Sequence, residues 1–439
     1  MTRHLLHDQP PSGGVVAHVA DELDGLIARC PFDPAAMEAG CARVEQLARR
    51  HLLRAFQAEG IFVAAGEQHS SARMQQQLGV VPAYQRLFQI LLEMLAHDGV
   101  SVLPDGMVTT SRLPDTTPAA CVALRDALLA DHPDRAMLIP LVDACAPEAL
   151  AVVSGRKSAV EVLFPGGSSA LVENVYARDA VSDFFNTLTA HAVDSLVRSR
   201  RAERSAGIES VLEIGAGTGG TTAAVLPRLA TLTPLVPYHC TDISPVLLQQ
   251  TQGVFGVAHP NVRFRPLDIG DDPVAQGFER AANDVVIAAN VLHATRDIAA
   301  TLTHVRQLLR PGGVLVLNEV TRAFHFTSLT FGLTPGWWLF DDEGRIPGAP
   351  LLSIDGWRRA LTAAGFSDVR SFTPFMADAD QPPQSLILAV NGDQEPMLSV
   401  PQDLMASRPS GTEASELIWK QLQIIDAQLA VLQAKGGRP

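Results

Sequence analysis

Apolar positions along the chain fall into two regimes. Up to about residue 155 they recur at helical spacing: Ala42 to Glu59 and Tyr84 to His97 both carry them three and four residues apart. In the second stretch Leu87, Leu91 and Met94 share one face, and Asp98-Gly99 offers a C-cap. Val100 to Leu103 and Met107 to Thr109, separated by Pro104-Asp105-Gly106, predict a small hairpin. A Pro-Gly-Gly-Ser break at Pro165 to Ser168 leads into another helical stretch, Tyr176 to Arg201. After it, short apolar runs alternate with helices. Strands are predicted at Val211 to Ile214, Tyr238 to Thr241, Val262 to Pro266, Asp284 to Ala289 and Val314 to Leu317. Helices at Thr221 to Leu229, Val246 to Phe255 and Ala299 to Leu309 lie between them. A helix at Gly356 to Ala364 and strands near Val369 to Phe372 and Leu386 to Val390 fit the same sheet.

This alternation predicts an α/β fold with a mostly parallel, doubly wound sheet in a Rossmann-like core at residues 205–392. A mainly helical lid or accessory domain precedes it at 1–160, with a helical connector closing over the site at 161–204. Residues 393–439 read as a Pro/Asp/Ser/Gly-rich linker and an amphipathic helix. Ile418, Leu422, Ile425, Leu429 and Leu432 there form an a/d stripe over two heptads, suited to docking on its own domain or on a partner.

Composition narrows the classes. Hydrophobic residues make up 47% and charged residues 18%, ordinary for a packed globule. No run approaches the roughly 18 consecutive apolar residues of a membrane helix, and Met1 to Pro11 is polar, so a cytoplasmic protein without membrane contact is expected. A net charge of −13 argues against a nucleic-acid binder. The local cluster Arg198, Arg200, Arg201 and Arg204 is either a solvated helix face or a landing patch for an acidic partner. The five scattered cysteines form no CxxC pair, so no zinc signature, no other metal site and no disulfide framework is indicated.

The chemistry begins at Val211-Leu-Glu-Ile214, which runs into Gly215-Ala-Gly217-Thr-Gly219-Gly220 and a helix. Such glycines permit a tight turn and close backbone approach of a ligand to free helix amides. A lone GxGxxG also fits NAD, and Asp242, 22 residues beyond Gly220, stands where a ribose-binding acid belongs. Three features favour S-adenosylmethionine. Glu213, just before the turn, suits an ammonium and a sulfonium and would repel a pyrophosphate. Asp268 ends the third strand, where it can accept from the adenine amino group while Ile269 packs on the ring. Leu309-Arg-Pro-Gly-Gly-Val314 introduces the fifth strand.

Together these motifs resemble those of class I S-adenosylmethionine-dependent methyltransferases. A narrower resemblance, to the C-methyltransferase domains of polyketide synthases and hybrid peptide–polyketide megasynthases, rests on Asp284 to Asp297, Tyr238 to Ser244, Gly332 to Trp338 and Pro350 to Ser353. Leu163 to Ser168 and Pro82 to Leu87 resemble that family's helical lid, and the likeness spans about residues 45 to 390. It implies methylation of the α-carbon of a β-ketoacyl thioester, carried on the phosphopantetheine arm of an acyl carrier protein among other megasynthase domains. It also implies a catalytic pair, His293 and Glu319, and adds Ile243 and Asn290 to the cofactor contacts Glu213, Gly215, Gly217, Gly219, Asp242, Asp268 and Ile269.

Position alone supports the pair. His293 follows the fourth predicted strand and Glu319 ends the fifth, so both emerge at the carboxyl edge where α/β sheets bind ligands. The α-carbon between a ketone and a thioester is acidic enough for a neutral imidazole, and Glu319 can hold the tautomer. Tyr176 and Asn186 are substrate-pocket candidates from the helical stretch before the core, and Trp337 and Trp338 are candidate pocket walls. His304 and His325 are read as structural. Two alternatives stand beside this reading: an assembly-line O-methyltransferase acting on a hydroxyl, and a non-catalytic pseudo-methyltransferase that scaffolds a synthase.

Overall fold

The computed structural model describes residues 15–168, 171–172, 179–203, 209–375 and 381–392. Tyr176, Arg204 and the linker and heptad segment 393–439 lie outside the described residues. In chain order the strands are β1 Gln68–Ser70, β2 Val100–Val102, β3 Met107–Thr110, β4 Val211–Ile214, β5 Tyr238–Asp242, β6 Val262–Pro266, β7 Asn283–Ala289, β8 Leu309–Val320, β9 Phe366–Phe372 and β10 Gln384–Asn391.

Strands β4 to β10 form one sheet in the order β6-β5-β4-β7-β8-β10-β9. β6, β5, β4, β7 and β8 are mutually parallel, while β10 runs antiparallel to both β8 and β9. The expected mostly parallel α/β sheet is therefore present. Every residue of β4 is buried because helices cover both faces, which is why such strands read as unbroken apolar runs. Leu212 and Ile214 join Val286, Leu317 and Trp357 in the core on one face. Val211 joins Ile287, Val225 and Phe185 on the other.

β8 is longer than its apolar centre Val314 to Leu317. Leu309 already pairs with Asn283, and the register shifts before Val285 meets Val314. Gly312 takes a left-handed φ of 72° in this irregular stretch. At the other end β8 runs on to Val320, which carries Glu319 to the edge of the sheet.

Packing divides the chain differently from the expected boundaries. The helix Val15–Ile27, assigned to the lid, buries Val16, Val19 and Leu23 in the same core as the helix Ala180–Glu203 and the sheet. That second helix, expected as a connector, lies on the sheet face with Phe185, Leu188 and Leu196 fully buried. Its arginines bond to neighbours within the fold, and Arg198 stays exposed while doing so. Arg198 bonds Asp194 and Thr231, Arg200 bonds the Gly312 carbonyl, and Arg201 bonds Glu209 and the Pro234 carbonyl.

The lid has its own core, centred on Phe56, Phe62, Phe88 and Leu92. The helix Pro34–Ala58 starts earlier than the apolar spacing indicated, because Asp33 caps it by accepting from Ala35 N and Ala36 N. Its Gly40 lets Arg135 pack close: a Cβ there would stand 2.7 Å from Arg135 Cγ. The predicted hairpin is present as β2 and β3, and β1 adds a third strand. Pro133–Val153 is long and apolar enough to cross a membrane by composition. It is broken into short helical pieces and 56% buried, as a lid-core segment would be.

Phe326, Leu329 and Leu333, which follow β8, also belong to the lid core. The insertion after β8 is thus shared between lid and sheet. Tyr84 of the lid fixes it by donating its hydroxyl to the Leu333 carbonyl at 2.7 Å, a fully buried bond. Replacing Tyr84 with Phe leaves that carbonyl unpaired and should cost about 1–3 kcal/mol of stability. Urea unfolding followed by tryptophan fluorescence reads this, and an unchanged midpoint would show that the link carries no stability.

Candidate active site

The glycine loop joins β4 to the helix Gly220–Leu229, and three of its glycines adopt positive φ: Gly215 at 66°, Gly217 at 55° and Gly219 at 84°. Two are hemmed in. A Cβ on Gly215 would lie 2.5 Å from Val291 Cγ2, and one on Gly219 would lie 2.8 Å from Phe255. Gly217 faces open space, with nothing within 4 Å of a notional Cβ. An uncrowded backbone between two pinned ones is the cradle that a ligand approaching helix amides needs.

The acids around the loop are already engaged. Asp242 ends β5, and its Oδ2 accepts from Gly217 N at 2.7 Å while Oδ1 accepts from Ser244 N at 2.8 Å. It therefore clips the loop to the strand as well as standing at the ligand edge. Ile243, the next residue, is half-buried. Glu213, just before the glycine turn, is the second of these acids. It is buried on the sheet face beneath the loop, where its Oε2 accepts from Thr222 Oγ1 at 2.6 Å and Tyr238 OH at 2.7 Å. Burial pushes its carboxyl above the usual carboxylate range, against the pull of those two donors. Strand alternation explains this, since Val211 and Glu213 share the face under the helix Gly220–Leu229. These contacts support the loop from below.

Asp268 follows β6 and is half-buried. Its Oδ1 accepts from Gly270 N at 2.9 Å, and Gln276 brackets its backbone at 2.9 and 2.7 Å. Burial raises its carboxyl. Ile269 is buried against Phe278, and its carbonyl meets Nδ1 of the buried His304 at 2.9 Å. The structural reading of His304 matches that contact.

The tightest constellation is at the ends of β7 and β8. These strands are parallel neighbours, with Ala289 opposite Asn318. Asn290 leaves β7 at a left-handed φ of 53°, which asparagine tolerates. Its backbone N–H donates to the Asn318 carbonyl at 2.7 Å, and its Oδ1 accepts from Val320 N at 3.0 Å. The exposed Asn290 thereby locks the two strand ends and turns the chain into the short helix Leu292–Ala294. Glu319 lies beneath that turn, fully buried. Its Oε1 accepts from the backbone N–H groups of Val291, Leu292 and His293 at 3.2, 3.0 and 3.4 Å. Its Oε2 stands 2.5 Å from His293 Nδ1. Glu319 thus spends all its capacity on one turn and one imidazole. With Nδ1 donating to Glu319, the lone pair of the neutral ring is on Nε2.

His293 lines a cavity of about 130 Å³ with Ala294, Thr295, Gly336, Trp337, Phe340 and Pro350. The two tryptophans part company here. Trp337 walls this cavity, and its buried indole Nε1 has no acceptor among the described residues. Trp338 instead donates to the Gly332 carbonyl at 2.7 Å and packs on the lid core. Asn186 is also placed elsewhere than expected. It accepts from Thr221 Oγ1 at 2.8 Å, over the start of the glycine-loop helix, so it neighbours the cofactor loop rather than the His293 cavity.

Arg345 has no counterpart in the sequence reading. It is almost fully buried and donates to the carbonyls of His293 at 2.6 Å, Pro350 at 2.5 Å and Thr295 at 2.9 Å, with Asp342 gripping its other edge. An Asp-x-x-Arg spacing in a loop gives no hint of carbonyl partners some fifty residues upstream. His325 lies at the lid interface beside Arg49, Glu45 and His97, away from the cavity.

A methyltransferase-domain family model matches residues 212–315. The polyketide synthase ThaG of Burkholderia thailandensis is 39% identical over 320 residues, 72% of this chain. The chain spans 6% of the length of that synthase and 16% of a second, ThaQ, which is 40% identical over 334 residues. Among solved structures, the DszA carbon methyltransferase is 32% identical with a TM-score of 0.78, covering 88% of this chain and 99% of that one.

The loop geometry makes a direct prediction. Gly215→Ala forces a Cβ against Val291, which also belongs to the His293 turn, so S-adenosylmethionine affinity should fall at least about tenfold, equivalent to 1.4 kcal/mol. Isothermal titration calorimetry measures it, and wild-type affinity in the variant would refute the packing argument.

Proposed function

This chain belongs to the carbon methyltransferases of polyketide synthases, which depend on S-adenosylmethionine, and on that premise we propose that it methylates the α-carbon of a β-ketoacyl thioester. We propose further that the thioester arrives on the phosphopantetheine arm of an acyl carrier protein, within or beside other synthase domains. The observation that carries this reading is the His293–Glu319 contact at 2.5 Å, with His293 also lining a cavity.

The residues fit the cofactor. The open backbone at Gly217, the free amides of the following helix, Ile243 and Asp242 at the end of β5, and Asp268 and Ile269 after β6 offer a cradle for a zwitterionic nucleoside along the carboxyl edge of the sheet. Asn290, exposed beside Val291, stands between that cradle and the His293 turn. When bound, the cofactor supplies an electrophilic methyl group.

His293 performs the proton transfer. Its Nε2 removes a proton from the activated α-carbon, leaving an enolate whose carbon is the nucleophile. The proton then rests on the imidazole, and the positive charge faces the buried Glu319 carboxylate. Three backbone N–H groups hold that carboxylate in place, so it need not reorganise as the charge develops. Arg345 steadies the same turn from its carbonyl side. The indole N–H of Trp337, in the cavity wall, is a donor without an acceptor among the described residues, and a substrate oxygen would satisfy it.

His293→Ala should abolish methyl transfer while S-adenosylmethionine still binds. Glu319→Gln is the sharper variant. Its amide keeps an acceptor for the backbone N–H groups but presents a donor to Nδ1, which moves the ring proton to Nε2 and blocks the base. The rate should fall by about 10²–10⁴-fold with cofactor affinity retained. Mass spectrometry of a β-ketoacyl carrier protein or thioester mimic reads both, and wild-type turnover by either variant would contradict the mechanism.

A further inference from the structure

The cavity that holds His293 is walled by Phe340, and three arginines surround that ring or its neighbours. Arg345 lies with its guanidinium 5.2 Å from the Phe340 centroid and is neutralised by Asp342. Arg296 is paired with Asp341 at 2.5 Å. Arg86, on the lid helix Gln85–Met94, stacks at 3.9 Å over Phe340 and 5.7 Å from Trp338. Its guanidinium has no hydrogen-bond acceptor and no carboxylate partner among the described residues, and the residue is exposed. Asp341, the carboxylate whose charge reaches it, is bound to Arg296. Burial of its stem and the like charge of Arg345 draw its pKa down, against the opposite pull of Asp341.

An arginine held flat by an aromatic ring keeps its edge donors in a fixed fork. That fork suits a phosphate better than any neutral group, and it stacks on Phe340, which lines the His293 cavity while Arg86 itself does not. On the reading above, the substrate reaches this cavity on a long arm. The thioester end lies inside, and the phosphodiester, the arm's anionic group, stays outside.

We propose that Arg86, stacked on Phe340 and left without a carboxylate, binds the phosphodiester of the carrier-borne pantetheine arm and so selects arm-tethered over free thioesters. The proposal rests on the β-ketoacyl substrate assigned above. It also gives the lid a part in substrate recognition that the fold otherwise leaves to the sheet edge.

The test uses the whole chain and two small substrates that differ by one group: β-ketoacyl-phosphopantetheine and β-ketoacyl-pantetheine. The wild-type KM for the phosphorylated thioester should be lower by about tenfold. Arg86→Ala should collapse that ratio to about one. Arg86→Lys, which keeps the charge and loses the planar stack, should retain part of it. A general structural defect would raise both KM values together and preserve the ratio, and a ratio preserved in Arg86→Ala overturns the assignment. Equal KM values for the two thioesters in the wild type overturn it as well, while leaving the methylation reading intact. Methylation of neither thioester by the wild-type chain contradicts the substrate reading itself, and the Arg86 assignment falls with it.

Discussion

A carboxylate with no contact with solvent organises the carboxyl edge of this sheet. A carboxylate buried there needs partners, since an unpaired buried charge is far too costly. Four donors from a single turn resolve that cost: three backbone N–H groups and the His293 imidazole. The arrangement has consequences in both directions along the chain. β8 must run past its apolar centre to deliver Glu319, and the chain after β7 must coil tightly enough to aim three successive amides at one oxygen. Asn290 makes that coil possible by taking a left-handed φ and tying the strand ends together.

Val291 then connects this turn to the nucleotide loop. Its N–H serves Glu319, and its side chain closes on Gly215 so tightly that no Cβ fits there. The loop that cradles the cofactor and the turn that carries the imidazole are therefore packed as one unit. Glu213 and Asp242 brace the loop from beneath and beside. On the other side, Arg345 binds the His293 turn to the insertion after β8, and Tyr84 binds that insertion to the lid. The cavity beside His293 is a product of three regions far apart in sequence.

Much of the frame was legible in the sequence because it follows local rules. Four-residue apolar runs, a glycine turn and alternating helices predict a parallel sheet without any knowledge of tertiary contacts. His293 and Glu319 were picked out by the family resemblance, and chain direction in such a sheet, which sends both to the same edge, supported that choice. What stayed hidden was set by long-range packing. Glu213 sits one residue away from the strand end, so pleat alternation turns it under the helix, where Thr222 and Tyr238 meet it. Asn186 and Trp338 carry polar groups that pack against neighbours no spacing rule could foretell. Arg345 is invisible for the opposite reason: its partners are carbonyls, which every residue possesses. The first helix, Val15–Ile27, looked like lid because it precedes the lid in sequence, yet its apolar face matches the sheet-side core.

The central claim is that His293, poised by Glu319, takes the α-proton. Deuterium uptake at the α-carbon isolates that step from methyl transfer. A β-ketoacyl thioester, the chain and S-adenosylhomocysteine are incubated in D2O, and exchange above the buffer background is followed by mass spectrometry. The account predicts that the wild-type chain accelerates exchange and that His293→Ala returns it to background. Exchange in His293→Ala as fast as in the wild type would contradict it.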